Sequence, residues 1–369
     1  MKNTHIYPLL AIPLLLAALI SGCAPLNASA NVLNPNTLRA EWTVENYTRV
    51  AQAPVVLHST IVIITANQQL IALDTRNGEE KWNLETPAVL WPGSLTATFD
   101  TIMLAGENGR VFALTYKRGV PEWDTQLSGE VLDAPLLDRY ILFTVTSPAT
   151  GSPEPAIVYA LNAATGAVLW QFETQSAALT QAARGGDSLY VGSRAPGDAR
   201  LYALSAAEGQ LRWANATLEG SLLAITANAD IVIVRNDAQQ VSALNAANGE
   251  IQWQTTHDSA LVWMQAADDV LWLADEDHLM AWNIGDATAQ WQAILPQPLA
   301  SAPILSEARI WALLANGDLQ VYEASSGSLV ATFHSGITAP AGMQLYGDQL
   351  FIVNTQGQVS TFTSRENNP

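Results

Sequence analysis

Cys23 is the only cysteine in this 369-residue chain, so it can form no internal disulfide and no multi-cysteine metal site. The histidines, His5, His58, His257, His278 and His334, are scattered singly, without the spacing that aims two imidazoles at one metal ion. Carboxylates are denser. Asp268-Asp269 and Asp275-Glu276-Asp277 lie about a strand apart, and a calcium ion would want oxygen ligands converging from such loops. Their spacing matches no calcium loop and reads as a solvated acidic turn. Ser, Asp and His are all present, but no Gly-x-Ser-x-Gly elbow presents a nucleophile. These residue types therefore imply no catalytic centre, no metal site and no cofactor.

The elements that would have to position any chemistry are announced by tryptophan. Trp42, Trp82, Trp123, Trp170, Trp213, Trp253 and Trp291 recur about every forty residues, and one more step reaches Ala331, where the Trp is missing. From Trp82 to Trp291 an Ala stands ten residues before each: Ala72, Ala113, Ala160, Ala203, Ala243 and Ala281. A Gly stands four residues before five of them: Gly78, Gly119, Gly166, Gly209 and Gly249. Ala287 is the exception. A period in this range means a stacked or radial repeat.

Each unit reads as four short strands. In the first, Pro54–Leu57, Ile61–Thr65, Leu70–Asp74 and Glu80–Leu84 are apolar and β-branched runs separated by turn residues. Turn signals every eight to twelve positions, with no helical 3.6 spacing, exclude an α-solenoid. The expected fold is all-β: an eight-bladed β-propeller of four-stranded antiparallel blades. The termini close it. Trp42 lacks the preceding Ala and Gly, so Arg39–Tyr47 is an orphaned last strand, while Gln344–Tyr346, Gln349–Val353 and Gln358–Phe362 supply three strands without a fourth. Joining them leaves no long free sheet edge. The ladder tryptophans are expected to dock blade to blade, and Ala331 marks the seventh blade as the weaker joint.

The N-terminus addresses the propeller. Lys2 precedes an apolar run from Tyr7 to Ile20, too short to span a bilayer but suited to a secretory signal. Leu19-Ile20-Ser21-Gly22-Cys23 resembles the bacterial lipoprotein box, which implies cleavage before Cys23 and its lipidation. The expected organisation is a signal peptide at 1–22, a lipidated tether at 23–38, the propeller at 39–363 and a tail at 364–369. Two or more acyl chains would anchor the chain stably on a membrane surface. Without residues 1–22 the chain keeps 15 basic against 34 acidic residues. Phosphate backbones would be repelled, so nucleic acid is excluded as a partner. Anionic head groups would be repelled too, leaving the anchor as the membrane contact.

The strings Val-Tyr-Ala-Leu-Asn-Ala-Ala-Thr-Gly-Ala-Val-Leu-Trp (158–170) and Leu-Tyr-Ala-Leu-Ser-Ala-Ala-Glu-Gly-Gln-Leu-Arg-Trp (201–213) resemble the tryptophan-docking repeat of pyrroloquinoline quinone (PQQ) propellers. That group divides into quinone-dependent dehydrogenases and non-enzymatic propellers. Among the latter, signal, size and blade number most resemble the BamB lipoprotein family of the outer-membrane β-barrel assembly machine. The resemblance implies a non-catalytic scaffold for envelope proteins, a monomeric ring within a complex, on the periplasmic face of an outer membrane where the cell has one. The alternatives are a PQQ-dependent oxidoreductase and a ligand-sensing propeller. The dehydrogenases typically carry an adjacent cysteine pair, which one cysteine cannot supply. Nor does the chain have their Cys-x-x-Cys-His haem site. In the BamB family a Leu-x-Leu-Arg stretch after the third blade contacts the barrel-forming subunit. Here that connection, Glu173–Ala183, has Leu179 and a following Arg184 but no such motif.

The period stretches twice. Ser147–Ala156 enlarges the hairpin between the second and third strands of the third blade, and Gly192–Arg200 enlarges the same hairpin of the fourth. Both should project from one face, where loops on a rigid scaffold form binding surfaces.

Overall fold

The protein's structure, a computed structural model, describes residues 33–364 except 46, 51, 87–89, 99, 132, 149–151, 153 and 307. The signal region, Cys23 and the tail from 365 lie outside the described residues. Eight antiparallel sheets, one per repeat, form the ring, and six of them are plain four-stranded meanders in chain order. The first blade runs Val55–Leu57, Thr60–Ile64, Gln69–Asp74 and Glu80–Glu85, within about a residue of the expected strands. In the third blade the innermost position is divided between Glu130–Val131 and Leu136–Asp138, both paired with Ile141–Ser147.

The eighth blade is closed by the chain's two ends. Leu38–Val44 pairs antiparallel with Val359–Ser364 and becomes the outermost strand beside Gln349–Asn354 and Pro340–Tyr346. The second and third strands of the blades are almost wholly buried, as in Thr60–Ile64 and Gln69–Asp74, because both their faces pack against neighbouring blades. Outermost strands alternate, as in Glu80–Glu85, because only one face is covered.

The tryptophan ladder is the joint between blades. Each indole Nε1 donates to a carbonyl in the third-to-fourth-strand turn of the next blade. Trp42 bonds Thr75, Trp82 Tyr116, Trp123 Ala163 and Trp170 Ala206, at 3.0, 2.8, 3.0 and 3.1 Å. Trp213 bonds Ala246, Trp253 Ile284 and Trp291 Ala324, at 2.9, 2.9 and 3.0 Å. From Trp82 to Trp291 the Ala ten residues earlier is the Trp's cross-strand partner, as in Ala160↔Trp170, and is fully buried; Trp42 faces Thr361 instead. A larger residue there would displace the ring. The Gly has two duties. Gly209 adopts φ +70°, and a Cβ on it would lie 2.5 Å from the Trp170 ring, so only hydrogen fits. Ala287 takes the same left-handed turn at φ 59° despite its Cβ.

The seventh joint is built differently, and it is not left open. Val321 faces Ala331, so the large residue has moved to the opposite strand. Phe333 of the seventh blade meets Phe362 of the eighth edge to face at 5.1 Å. The 3₁₀ turn Pro35–Thr37 packs on Leu329–His334 and Val359–Ser364. Leu33 and Leu38, 5% and 7% exposed, join the same cluster as Val321, Trp311 and Phe362. The Arg309 guanidinium donates to the Leu33 carbonyl at 3.5 Å. Residues 33–38, expected in the tether, thus belong to the ring and cover the joint whose Trp is missing.

Candidate functional site

Turns of an antiparallel meander alternate between faces. The hairpins between second and third strands therefore share one face with the connections between blades, and the docking turns occupy the other. Both stretched hairpins project on the first of these, the loop face. The fourth blade's insertion is fixed there by a polar network. Asp198 accepts from the hydroxyls of Ser193 and Ser176, and Arg200 bonds Gln175 and the Tyr202 hydroxyl. Arg194 reaches back to Asp133 at the entrance of the third blade, at 2.9 Å.

On this face two hollows flank Trp263. The larger, about 510 Å³, lies toward the seventh blade between Ser259, Glu276, Asp277 and Ser301. The smaller, about 210 Å³, lies toward the fourth between Gln181, Arg194, Leu223 and Arg235. They share Val262 and Trp263 as a wall. Local sequence explains the lining. In Leu261-Val262 the first residue is buried and the second 59% exposed, following strand alternation. A β-bulge between Leu222 and Ala224 leaves Leu223 unpaired and turns it outward, 38% exposed, while Leu222 stays in the core. Arg235 faces the small Ala224 across the strands. Burial pulls its guanidinium below the ordinary arginine pKa.

The residues singled out in the sequence are mostly not brought together. Asp268-Asp269 sits in the turn before Val270–Ala274 and Asp275-Glu276-Asp277 in the turn after it, hence on opposite faces. One ion cannot bridge them. Asp275 is buried and caps its own hairpin, accepting from the Asp277 and His278 amides at 2.9 and 2.7 Å. Two of the scattered histidines do converge on it: His278 Nδ1 at 3.1 Å and His257 Nε2 at 4.0 Å. His58 lies beside Tyr116, and His334 bonds Asp318 at 2.6 Å. His5 lies outside the described residues. Among the described residues no group of three or more His, Cys, Asp or Glu is placed to hold a metal ion. Leu179 is 3% exposed and Arg184 bonds Asp138 at 2.8 Å, so both are engaged inside the ring. Trp263, Leu223 and Arg235 escaped the sequence reading because Trp263 of the sixth blade meets the other two across the joint with the fifth, and a bulge turns Leu223 outward.

Comparison with known proteins adds a family. The family model described as "Outer membrane protein assembly factor BamB" matches residues 28–133 and 154–366. A protein of that name from Moranella endobia is 23% identical over 83% of each chain. The one from Yersinia pestis is 29% identical, over 39% of each chain, so the chain spans well under two thirds of that relative. Among solved structures, BamB from Moraxella catarrhalis superposes with a TM-score of 0.65 at 14% identity, covering 88% of this chain and 99% of that one. Quinohemoprotein alcohol dehydrogenase from Comamonas testosteroni superposes with 0.64 at 13% identity, covering 90% and 78%. At such identities the two structures speak for the fold alone.

Proposed function

We propose, on the premise that this chain belongs to the BamB family of PQQ-repeat propellers, that it is a non-catalytic scaffold which binds envelope proteins during outer-membrane protein assembly. The relatives are named for that process. The observation that carries the reading is the loop face. There the ring presents two hollows, the exposed Leu223 and Val262 beside a half-buried Trp263, and two enlarged hairpins on adjacent blades. A large apolar surface rimmed by polar groups is the usual mark of a protein contact. The proposed anchor is lipidated Cys23, with residues 24–32 as tether and the outer membrane as location.

Photo-crosslinking from chosen positions in native membranes tests this. A photoreactive residue at Val262 or Leu223 should yield discrete partner adducts. The same residue at Val168 or Leu329, exposed on outermost strands, should yield few. Equal yields from both sets would refute the loop face as the binding face. Dye-linked alcohol oxidation after addition of PQQ and calcium would overturn the non-catalytic reading.

A further inference from the structure

Five arginines, Arg76, Arg110, Arg184, Arg194 and Arg200, each have a carboxylate within 4 Å. The Arg235 guanidinium has neither a hydrogen bond nor an ion pair among the described residues, yet it is partly buried. In a chain with 34 acidic residues, a counter-ion would be easy to provide. A half-buried cation left without one costs stability and is suited to receive an anion from outside. It lines the smaller hollow with Arg194, and the apolar wall of that hollow continues past Trp263 to Glu276 and Asp277. A small free anion would occupy only the arginine end and leave Leu223 and Val262 uncovered.

We propose that this groove binds an extended segment of a partner protein in a fixed direction. An aspartate or glutamate of that segment sits on Arg235, an aliphatic side chain covers Val262 and Trp263, and a lysine or arginine meets Glu276 and Asp277. This rests on the scaffold reading above and specifies its ligand. Charge complementarity at the two ends fixes orientation, and the apolar middle supplies contact area.

The test uses the full-length chain in detergent and fluorescein-labelled capped peptides, Asp-Leu-Val-Leu-Lys and its reverse, read by anisotropy. One of the two orders should bind saturably, and the same peptide with Asn for Asp should bind at least about tenfold more weakly. Arg235→Gln should weaken the Asp peptide by a similar factor without lowering the melting temperature, and Arg235→Glu should prefer a peptide with Lys in place of Asp. Equal binding of the Asp and Asn peptides, or no saturation at millimolar concentration, overturns the proposal. Displacement by acetate alone at matched concentration also overturns it, by showing a small-anion site. The Asp and Asn pair on the unaltered protein decides the matter even if a variant fails to fold. Loop-face cross-links that persist while the peptides fail would remove this groove and leave the scaffold reading standing.

Discussion

The glycine and the tryptophan of one joint should be energetically coupled, and the cycle Trp170→Ala, Gly209→Ala and the double variant measures that coupling. A Trp buries roughly 150–250 Å², which at about 25 cal/mol per Å² gives about 4–6 kcal/mol for complete cover. Trp170 keeps part of its surface exposed, while its truncation also deprives the Ala206 carbonyl of a donor, worth about 1 kcal/mol. The expected loss is about 3–5 kcal/mol, in the range of large-to-small core substitutions. Gly209→Ala places a methyl in the left-handed region, costing about 1 kcal/mol. It also forces that methyl to 2.5 Å from the ring, adding about 1–3 kcal/mol of overpacking. In the double variant the ring is gone and only the backbone cost of Gly209→Ala remains, so the two losses should fall short of additivity by about 1–3 kcal/mol. Urea unfolding followed by tryptophan emission and far-ultraviolet dichroism gives the energies, with coincident transitions confirming that one free energy is defined. Additivity within about 0.5 kcal/mol, or a Trp170→Ala loss below about 1 kcal/mol, would refute the docking mechanism.

Ala287→Gly should stabilise the protein by about 0.5–1 kcal/mol by relieving a left-handed alanine where six sister blades have glycine, and a thermal melt reads it directly. Restoring the missing rung with Ala331→Trp should destabilise by about 1–3 kcal/mol, since Val321 and the Pro35–Thr37 turn occupy the space. Pairing it with Val321→Ala should recover part of the loss. At alkaline pH the buried Tyr322, its hydroxyl on Gln320 and its pKa pushed up to about 12 by burial, favours the folded state only while protonated. Its contribution is complete below about pH 10 and is lost as pH rises toward 12, roughly 2–3 kcal/mol in all. Unfolding curves from pH 9 upward should therefore slope less steeply for Tyr322→Phe.

What the sequence made legible was whatever each repeat states locally. Strand runs, the Ala–Gly–Trp triplets and the orphaned strand at Trp42 are each written within forty residues, and ring closure follows from matching the two incomplete ends. The cover over the seventh joint was not legible, because its cue at Ala331 and its answer at Leu33 lie at opposite ends of the chain. The groove was hidden for a related reason. Its walls come from the fourth to the seventh blades, and Leu223 is exposed only because a bulge interrupts the alternation that would have placed it. His257, in the connection after the fifth blade, and His278 of the sixth likewise share Asp275 across a blade joint, which the wide spacing of the two residues conceals.

The same register argument orients the molecule. Leu38 pairs with Ser364 at the end of the third strand of the eighth blade, so the chain enters the ring on the docking-turn face, opposite the loop face. Because residues 33–38 are packed into the seventh joint, only residues 24–32 would separate the ring from the proposed anchor, and nine residues span at most roughly 30 Å. A six-residue strand alone spans about 20 Å, so most of that length would be spent merely in passing the thickness of the ring. Were Cys23 lipidated as proposed, the ring would hold its docking-turn face toward the lipid and present the Trp263 groove away from it. That is where soluble segments of assembly partners would be met, and it makes the short tether a determinant of which face is available rather than a passive leash.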